Sequence, residues 1–429
     1  MSIKRSYEYT TYEIFQESGH STTIVYNGYS TNTATFDYTG IAVRETFGNH
    51  KKMISVSNLS SRNLKELVQK LHCINGDAVL SDTDQLIRMK KPILNSNSKQ
   101  LFNEARRIVT GYGITICLSH AKHNTSVGLV HDLKTQTDKS HEFMQITFED
   151  NNDPDISRYL LGFPANWDIA NILAQMEYVR DWLLLRRKIK QPLAPGKYPL
   201  VFASGVGGIL FHEVIGHSFE LSKSHSIYSP IKYETGHRLC SDNLTVIDSP
   251  FSLNPTQNFD DEGTIKNETV LIKSGKIISP LTDQISSRKY TNYSLTGNSR
   301  RQSFLHYPEP RMYKTYVETG KDTVEQALSD IEYGFYVEHI SRANCNFYEG
   351  NVFLNVSKAK LIRQGEITDI PATFCISCDM SEFLYVKCIC DDLAFVPGIC
   401  HSTSGSIYVE HGSPTLSFHC INIRNGFIY

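Results

Sequence analysis

Along the first sixty residues, apolar and β-branched side chains come in short runs broken by Asn and Gly turns. Thr22–Tyr26, Thr33–Tyr38 and Ile41–Phe47 read as strands, with Asn27-Gly28 and Gly48-Asn49 as turn pairs beside them. The period then lengthens. Leu64, Leu67, Val68 and Leu71 share one stripe of a helix, and Leu101, Ala105, Ile108 and Val109 share another. Ile114–Ser119, Thr125–Val130 and Phe143–Phe148 return to the strand pattern and complete an α/β unit. A third helix is predicted from an Asp168 N-cap after Trp167, through Leu173, Met176, Val179 and Leu183. It closes on Arg186-Arg187-Lys188, whose charge suits a helix C-terminus, and Pro192 and Pro195-Gly196 forbid its continuation.

Beyond Tyr198 the texture changes to one short helix and many short strands, which places a division near residue 192, with domains 1–192 and 193–429. Leu244–Ile247, Glu268–Lys273, Lys276–Ile278, Phe335–Ile340, Phe353–Val356, Ala359–Ile362, Phe383–Cys390 and Leu416–Ile423 are β-rich, most of them flanked by Gly, Asn, Asp or Pro. The expected architecture is an α/β N-terminal domain followed by a predominantly antiparallel β C-terminal domain, α+β overall. No repeat of fixed period interrupts it.

Composition narrows the class. The 429 residues, with 40% hydrophobic and 21% charged, suit a multidomain globular chain rather than a disordered one. A net charge of −2 with no basic stripe offers no footprint for phosphates, so a nucleic-acid partner is not expected. The longest apolar runs, such as Trp182–Leu185, are far short of the ~20 residues of a membrane span, so no membrane is expected either. The stretch Met1–Phe15 has no apolar run of signal-peptide length, which gives a cytoplasmic expectation and makes the ten cysteines free thiols or metal ligands.

The sharpest motif is Gly205-Val206-Gly207-Gly208-Ile209-Leu210-Phe211-His212-Glu213-Val214-Ile215-Gly216-His217, a Gly-rich turn entering an apolar helix that carries His-Glu-x-x-x-His. Histidines four apart lie on one helix face and can share a metal. Five apart, at roughly 100° per residue, they diverge by about 140°. A shared ion therefore requires a local i→i+5 widening or a break, and Gly216 is where such a distortion is tolerated most cheaply. From spacing alone, a pair of ordinary core or surface histidines is an equal alternative.

This segment resembles the signature helix of the TldD/PmbA family of zinc metallopeptidases. Further elements follow in the family's order: Asp260-Asp261-Glu262-Gly263-Thr264 resembles its DDEGT, Gly297–Ser303 its GxxRRxS, and Pro310-Arg311-Met312 its PRM. Gly398-Ile399-Cys400 resembles its G-x-C, and Pro414-Thr415-Leu416 its PTL. The resemblance implies a Zn2+ cofactor with His212, His217 and Cys400 as ligands, and Glu213 as the general base that takes a proton from the attacking water. It also implies a peptide substrate received as an added strand, and a dimer, either with itself or with a TldE-like partner chain. The substrate class would be unfolded or ribosomally made modified peptides, in leader removal or degradation.

Departures from the family pattern are Ser218-Phe219, His401 after the cysteine, and Tyr313-Lys314 after the PRM element. His401 could take an open coordination position, although neighbours on a strand point to opposite faces. Arg300, Arg301 and Arg311 could clamp a substrate carboxylate or pair with Asp260 or Asp261. Cys375, Cys378, Cys388 and Cys390 could form a structural zinc site, but their spacing favours separate thiols in neighbouring strands. The contrasting functional reading is a non-catalytic peptide-binding partner subunit, which intact His212, Glu213, His217 and Cys400 disfavour.

Overall fold

The computed structural model describes residues 11–429 except 48–49, 58–65, 68, 72, 75, 82–87, 90–95, 130–131, 153–158, 165–167, 188–189, 224–228, 230–231 and 251–257. Gly48-Asn49, Leu64, Val68, Val130, Trp167 and Lys188 therefore lie outside the described residues. In the N-terminal half, β1 (Thr11–Tyr26), β2 (Thr31–Phe47), β3 (His50–Val56), β4 (Ala78–Ser81), β5 (Arg88–Met89), β6 (Ile114–Leu129), β7 (Asp132–Asp150) and β8 (Tyr159–Pro164) make one sheet. Its order is β4-β3-β2-β1-β6-β7-β8, with β5 attached to β2, and the pairings are antiparallel except β3 with β4.

Where separate strands are expected on either side of Thr39-Gly40 and around Ala121, the chain runs on as the long strands β2 and β6. Continuous pairing on both edges of β1 supplies the backbone partners that a break would lose. Helices α1 (Ser96–Val109) and α2 (Ile169–Leu185) cover one face. There Leu101, Ala105, Val109, Met176, Val179 and Leu183 bury against Ile24, Ile116, Leu118 and Ile146. Asp168 caps α2 by accepting the Ala170 N–H at 3.0 Å. The helix stops at Leu185, and Arg187 turns instead to the buried carboxylate of Asp150, 2.9 Å away. No helix among the described residues is long and apolar enough to cross a membrane.

The C-terminal half contains β9 (Gln191–Leu193), β10 (Gly196–Phe202), β11 (Val246–Asp248), β12 (Thr269–Lys273), β13 (Lys276–Ile277), β14 (Ser299–Arg300), β15 (Glu309–Pro310), β16 (Lys314–Val317), β17 (Tyr333–Asn346), β18 (Asn351–Arg363), β19 (Glu366–Asp379), β20 (Cys388–Ile389), β21 (Ala394–Ser402), β22 (Gly405–Ser413) and β23 (Leu416–Ile428). Strands β10, β17, β18, β19 and β23 close into a ring, because β10 pairs with β17 on one side and β23 on the other. Phe202, Phe335, Leu354, Phe374 and Phe418 are among the side chains of its core. A second sheet runs β13-β12-β11-β16-β22-β21, leaving β21 as an edge. The expected strand Phe383–Cys390 is mostly not one: Asp379 caps a tight turn over Met380–Phe383, Cys388–Ile389 pairs with β23, and Cys390 makes an isolated bridge with Asp322. Phe383, Leu384 and Val386 are apolar there because they fill the core, not because they alternate.

The second face of the first sheet is fastened to the C-terminal half by buried charges. Arg44 reaches both Glu13, at 2.5 Å, and Glu262, and Arg301 reaches Glu13, also at 2.5 Å. Glu17 accepts the Phe304 N–H at 2.9 Å and the Tyr38 hydroxyl at 3.0 Å, while Phe15, Ala42 and Met53 pack with Phe304 and Tyr307. Removing one member leaves a buried charge without its partner, a loss of about 3–5 kcal/mol. We predict that Arg44→Ala lowers unfolding stability by that amount in a denaturant titration, while Arg107→Ala, whose exposed pair with Glu104 is 2.8 Å long, changes it by less than about 1 kcal/mol. Equal losses would contradict the fastening role.

Candidate metal centre

After β10, Gly205 turns the chain at φ +82°, a left-handed conformation that glycine adopts without strain, and its N–H donates to the Ser413 carbonyl at 2.8 Å. A single α-helical turn, α3 (Gly208–Phe211), then widens into a π turn over His212–Gly216, where the His217 N–H donates to the His212 carbonyl five residues back. A tight 3₁₀ turn, His217–Phe219, follows. The i→i−5 bond brings positions 212 and 217 onto one face, as the spacing requires. Gly216 serves this in a different way from that expected: its torsions, φ −53° and ψ −57°, are ordinary helical ones. A Cβ there would lie 1.8 Å from the Met312 Sδ, so the glycine admits Met312 against the turn.

Cys400 arrives from β21, and its Sγ lies 3.2 Å from the His217 Nε2. The two imidazoles meet edge to face with centroids 5.0 Å apart. One ligand atom from each of His212, His217 and Cys400 lies within 4.8 Å of the others, and all three residues are buried; among the described residues this is the one His/Cys/Asp/Glu group so arranged. Tetrahedral zinc with nitrogen and sulfur ligands needs separations of roughly 3.5 Å, so the group needs only a small contraction to fit. Burial raises the Cys400 thiol pKa, yet the His217 and His212 rings outweigh it and hold the thiol at about 3, in the thiolate form a metal takes.

A second set of residues holds these three in place. The Glu220 Oε2 lies 3.0 Å from the His217 Nδ1, the carboxylate that commonly orients a ligating imidazole. Arg311, fully buried, donates to the Cys400 carbonyl at 2.8 Å and to the Ser404 hydroxyl at 2.8 Å, and its Nε lies 3.5 Å from the Glu220 Oε1. Arg300 donates to the carbonyls of Met312 and Tyr408 and stacks 4.3 Å from the Tyr313 ring centroid. Arg301 spans Glu13 and the Asp261 carbonyl. All three arginines thus have protein acceptors. The Asp260 carboxylate accepts the Glu262, Thr264 and Ser299 N–H groups and shapes its loop, and Asp261 accepts the Arg301 N–H at 2.9 Å.

Glu213 is half-buried beside His212, close enough to Cys345 of β17 to push that thiol's pKa up, although burial is the larger cause. Phe347, just past β17, puts its ring centroid 6.0 Å from that of His217. His401 is exposed and held by Ser406 at 2.6 Å, on the face of β21 opposite Cys400. Cys375, Cys378, Cys388 and Cys390, weighed from sequence as a structural zinc site, do not converge. Cys375 donates to Asn355, buried Cys378 lies on the other face of β19, and Cys388 and the residue after β20, Cys390, line up with β23. Two residues around the site have no place in the spacing argument. Glu220 carries a usable signal, a carboxylate three positions beyond a ligand histidine; His411 carries none, because only the pairing of Val396 with His411 across β21 and β22 brings it in.

The family description "PmbA/TldA metallopeptidase C-terminal domain" matches residues 195–425. The chain is 30% identical over 245 residues to a metalloprotease TldD homolog of Buchnera aphidicola subsp. Acyrthosiphon pisum, covering 56% of this chain and 50% of that protein. It is 26% identical over 254 residues to a zinc metalloprotease TldD homolog of Saccharolobus solfataricus, covering 58% and 55%. The chain thus spans about half the length of the curated relatives it matches. Among solved structures, TldE from Thermococcus kodakarensis superposes with a TM-score of 0.70 over 96% of each chain at 17% identity, a shared fold.

The Met312 contact is testable by a double-mutant cycle. Gly216→Ala should cost about 1–3 kcal/mol through overpacking, and Met312→Ala should cost less in the Gly216→Ala background than in the unaltered chain. Strictly additive losses would show that Gly216 is not needed to admit Met312.

Proposed function

The chain belongs to the PmbA/TldD metallopeptidase family, and from that premise we propose that it is a zinc-dependent peptidase acting on extended peptides. The observation that carries the reading is the convergence of His212, His217 and Cys400 on one buried point, from a π turn and a strand separated by 183 residues of sequence. Three protein ligands of this kind leave a fourth position for water or substrate, the pattern of a catalytic rather than a structural zinc site. When bound, zinc supplies Lewis acidity, polarising a carbonyl and making a water nucleophilic near neutral pH.

The chain's own residues supply the rest. Glu213, one position past His212 and half-buried, accepts the proton of the attacking water and passes it to the leaving amine. Glu220 and Arg311 fix the tautomer of His217 and the backbone of Cys400, so that the ligands stay aimed while substrate comes and goes. β21, which carries Cys400, has β22 as its one strand partner among the described residues, and Pro397 within it is at home on an edge. An extended peptide adding to that edge would be read mainly through its backbone, with little side-chain preference. Unfolded or modified ribosomal peptides, in leader removal or degradation, fit that demand, and folded proteins do not. We assign a second subunit, either another copy of the chain or a TldE-like partner, to the side of the site that the peptide enters. With Arg300, Arg301 and Arg311 engaged by protein acceptors, the edge explains substrate capture better than a carboxylate clamp does.

Two variants test the reading. The purified chain should hold about one zinc, Cys400→Ser should lose most of it, and Glu213→Gln should keep it while peptide hydrolysis falls about 10²–10⁴-fold. Full zinc in Cys400→Ser, or unchanged hydrolysis in Glu213→Gln, would contradict the assignment.

A further inference from the structure

The two candidate ligand histidines are not held alike. His217 has its outer nitrogen on Glu220, whereas the Nδ1 of buried His212 has no protein partner among the described residues. Beyond that of His217, whose centroid is 5.0 Å away, the His411 ring stands beside it, with centroids 6.5 Å apart and planes at 59°, and the Nδ1 of His411 is likewise buried and unpartnered. His411 lies on β22, 8% exposed, and the Gly205 backbone accepts a hydrogen bond from its ring. Since Nδ1 is unpartnered, that bond uses Nε2, which leaves Nδ1 as a bare acceptor on an uncharged imidazole. His212 is the complement. Its contact with Cys400 must use Nε2, so a neutral ring facing a metal there carries its proton on Nδ1.

We infer that His411 is the outer partner of His212, accepting the His212 Nδ1 proton through one bridging water and so doing for this ligand what Glu220 does for His217. A centroid separation of 6.5 Å leaves facing nitrogens too far apart for a direct bond and suitably spaced for a water between them. The bridge would satisfy two buried polar atoms at once, each of which otherwise bears a desolvation cost. It also gives the Gly-rich turn a chemical task, because the Gly205 backbone fixes the tautomer of His411. His411 is thus a positioning residue, and the inference rests on the proposed metal site.

Zinc dissociation constants, measured by competition with a chromogenic chelator, test it without any activity assay. His411→Leu removes both nitrogens, His411→Gln can keep the bond to Gly205 but not the acceptor near Nδ1, and His411→Asn keeps an acceptor there but not the bond to Gly205. The inference expects His411→Leu and His411→Gln to bind zinc about 10–100-fold more weakly and His411→Asn to stay within about threefold of the unaltered chain, with all three melting cooperatively. Unchanged affinity in His411→Leu, or rescue by Gln and not by Asn, would overturn it and leave His411 a packing residue tied to Gly205. An unaltered chain that binds no zinc would instead remove the metal site itself, and this inference with it.

Discussion

The buried guanidinium of Arg311 ties the two halves of the candidate centre together. One nitrogen holds the carbonyl of Cys400 on β21, another holds Ser404 at the turn into β22, and its Nε faces Glu220, which in turn holds His217. A cation buried this completely needs acceptors and a counter-charge, and here it has the Cys400 and Gly405 carbonyls, the Ser404 hydroxyl and the Glu220 carboxylate 3.5 Å away, on both sides of the site. The same cation lies beside the carboxylate that holds His217.

Around that core, the N-terminal sheet serves as a support. The face of β1 and β2 that carries Glu13, Glu17 and Arg44 closes over the segment containing Glu262 and Arg301, so the DDEGT and GxxRRxS elements lie at the junction of the two halves. Their residues contact loop N–H groups, the N-terminal sheet and the backbone near the centre. Arg300, Arg301 and Arg311, the candidate substrate contacts of the sequence, here donate to the carbonyls of Met312, Asp261 and Cys400.

How much of this was legible in the chain depends on the range of the forces involved. The amphipathic stripe of α1, the Asp168 cap and the β-rich runs of β12 and β23 are local, and the sequence pattern shows them. The i→i+5 geometry was legible too, because two histidines five apart on a helix face one metal only if the ladder widens. What spacing could not show is long-range: that β10 closes a ring by pairing on both sides, that Gly216 is there for Met312, and that His411 stands beside His212. Strand extent was misjudged at Phe383–Cys390, where apolar residues bury as a turn, and around Gly40 and Ala121, where pairing carries the strands through.

The central claim is that a π turn and a strand edge together make a three-ligand site of two imidazoles and one thiolate. X-ray absorption at the zinc edge of the purified chain reads that ligand set directly. The account predicts one sulfur shell near about 2.3 Å and two nitrogen neighbours near about 2.0–2.1 Å showing imidazole scattering, with a further light atom in the remaining position. A spectrum with no sulfur, with four sulfurs, or with a single imidazole would contradict it.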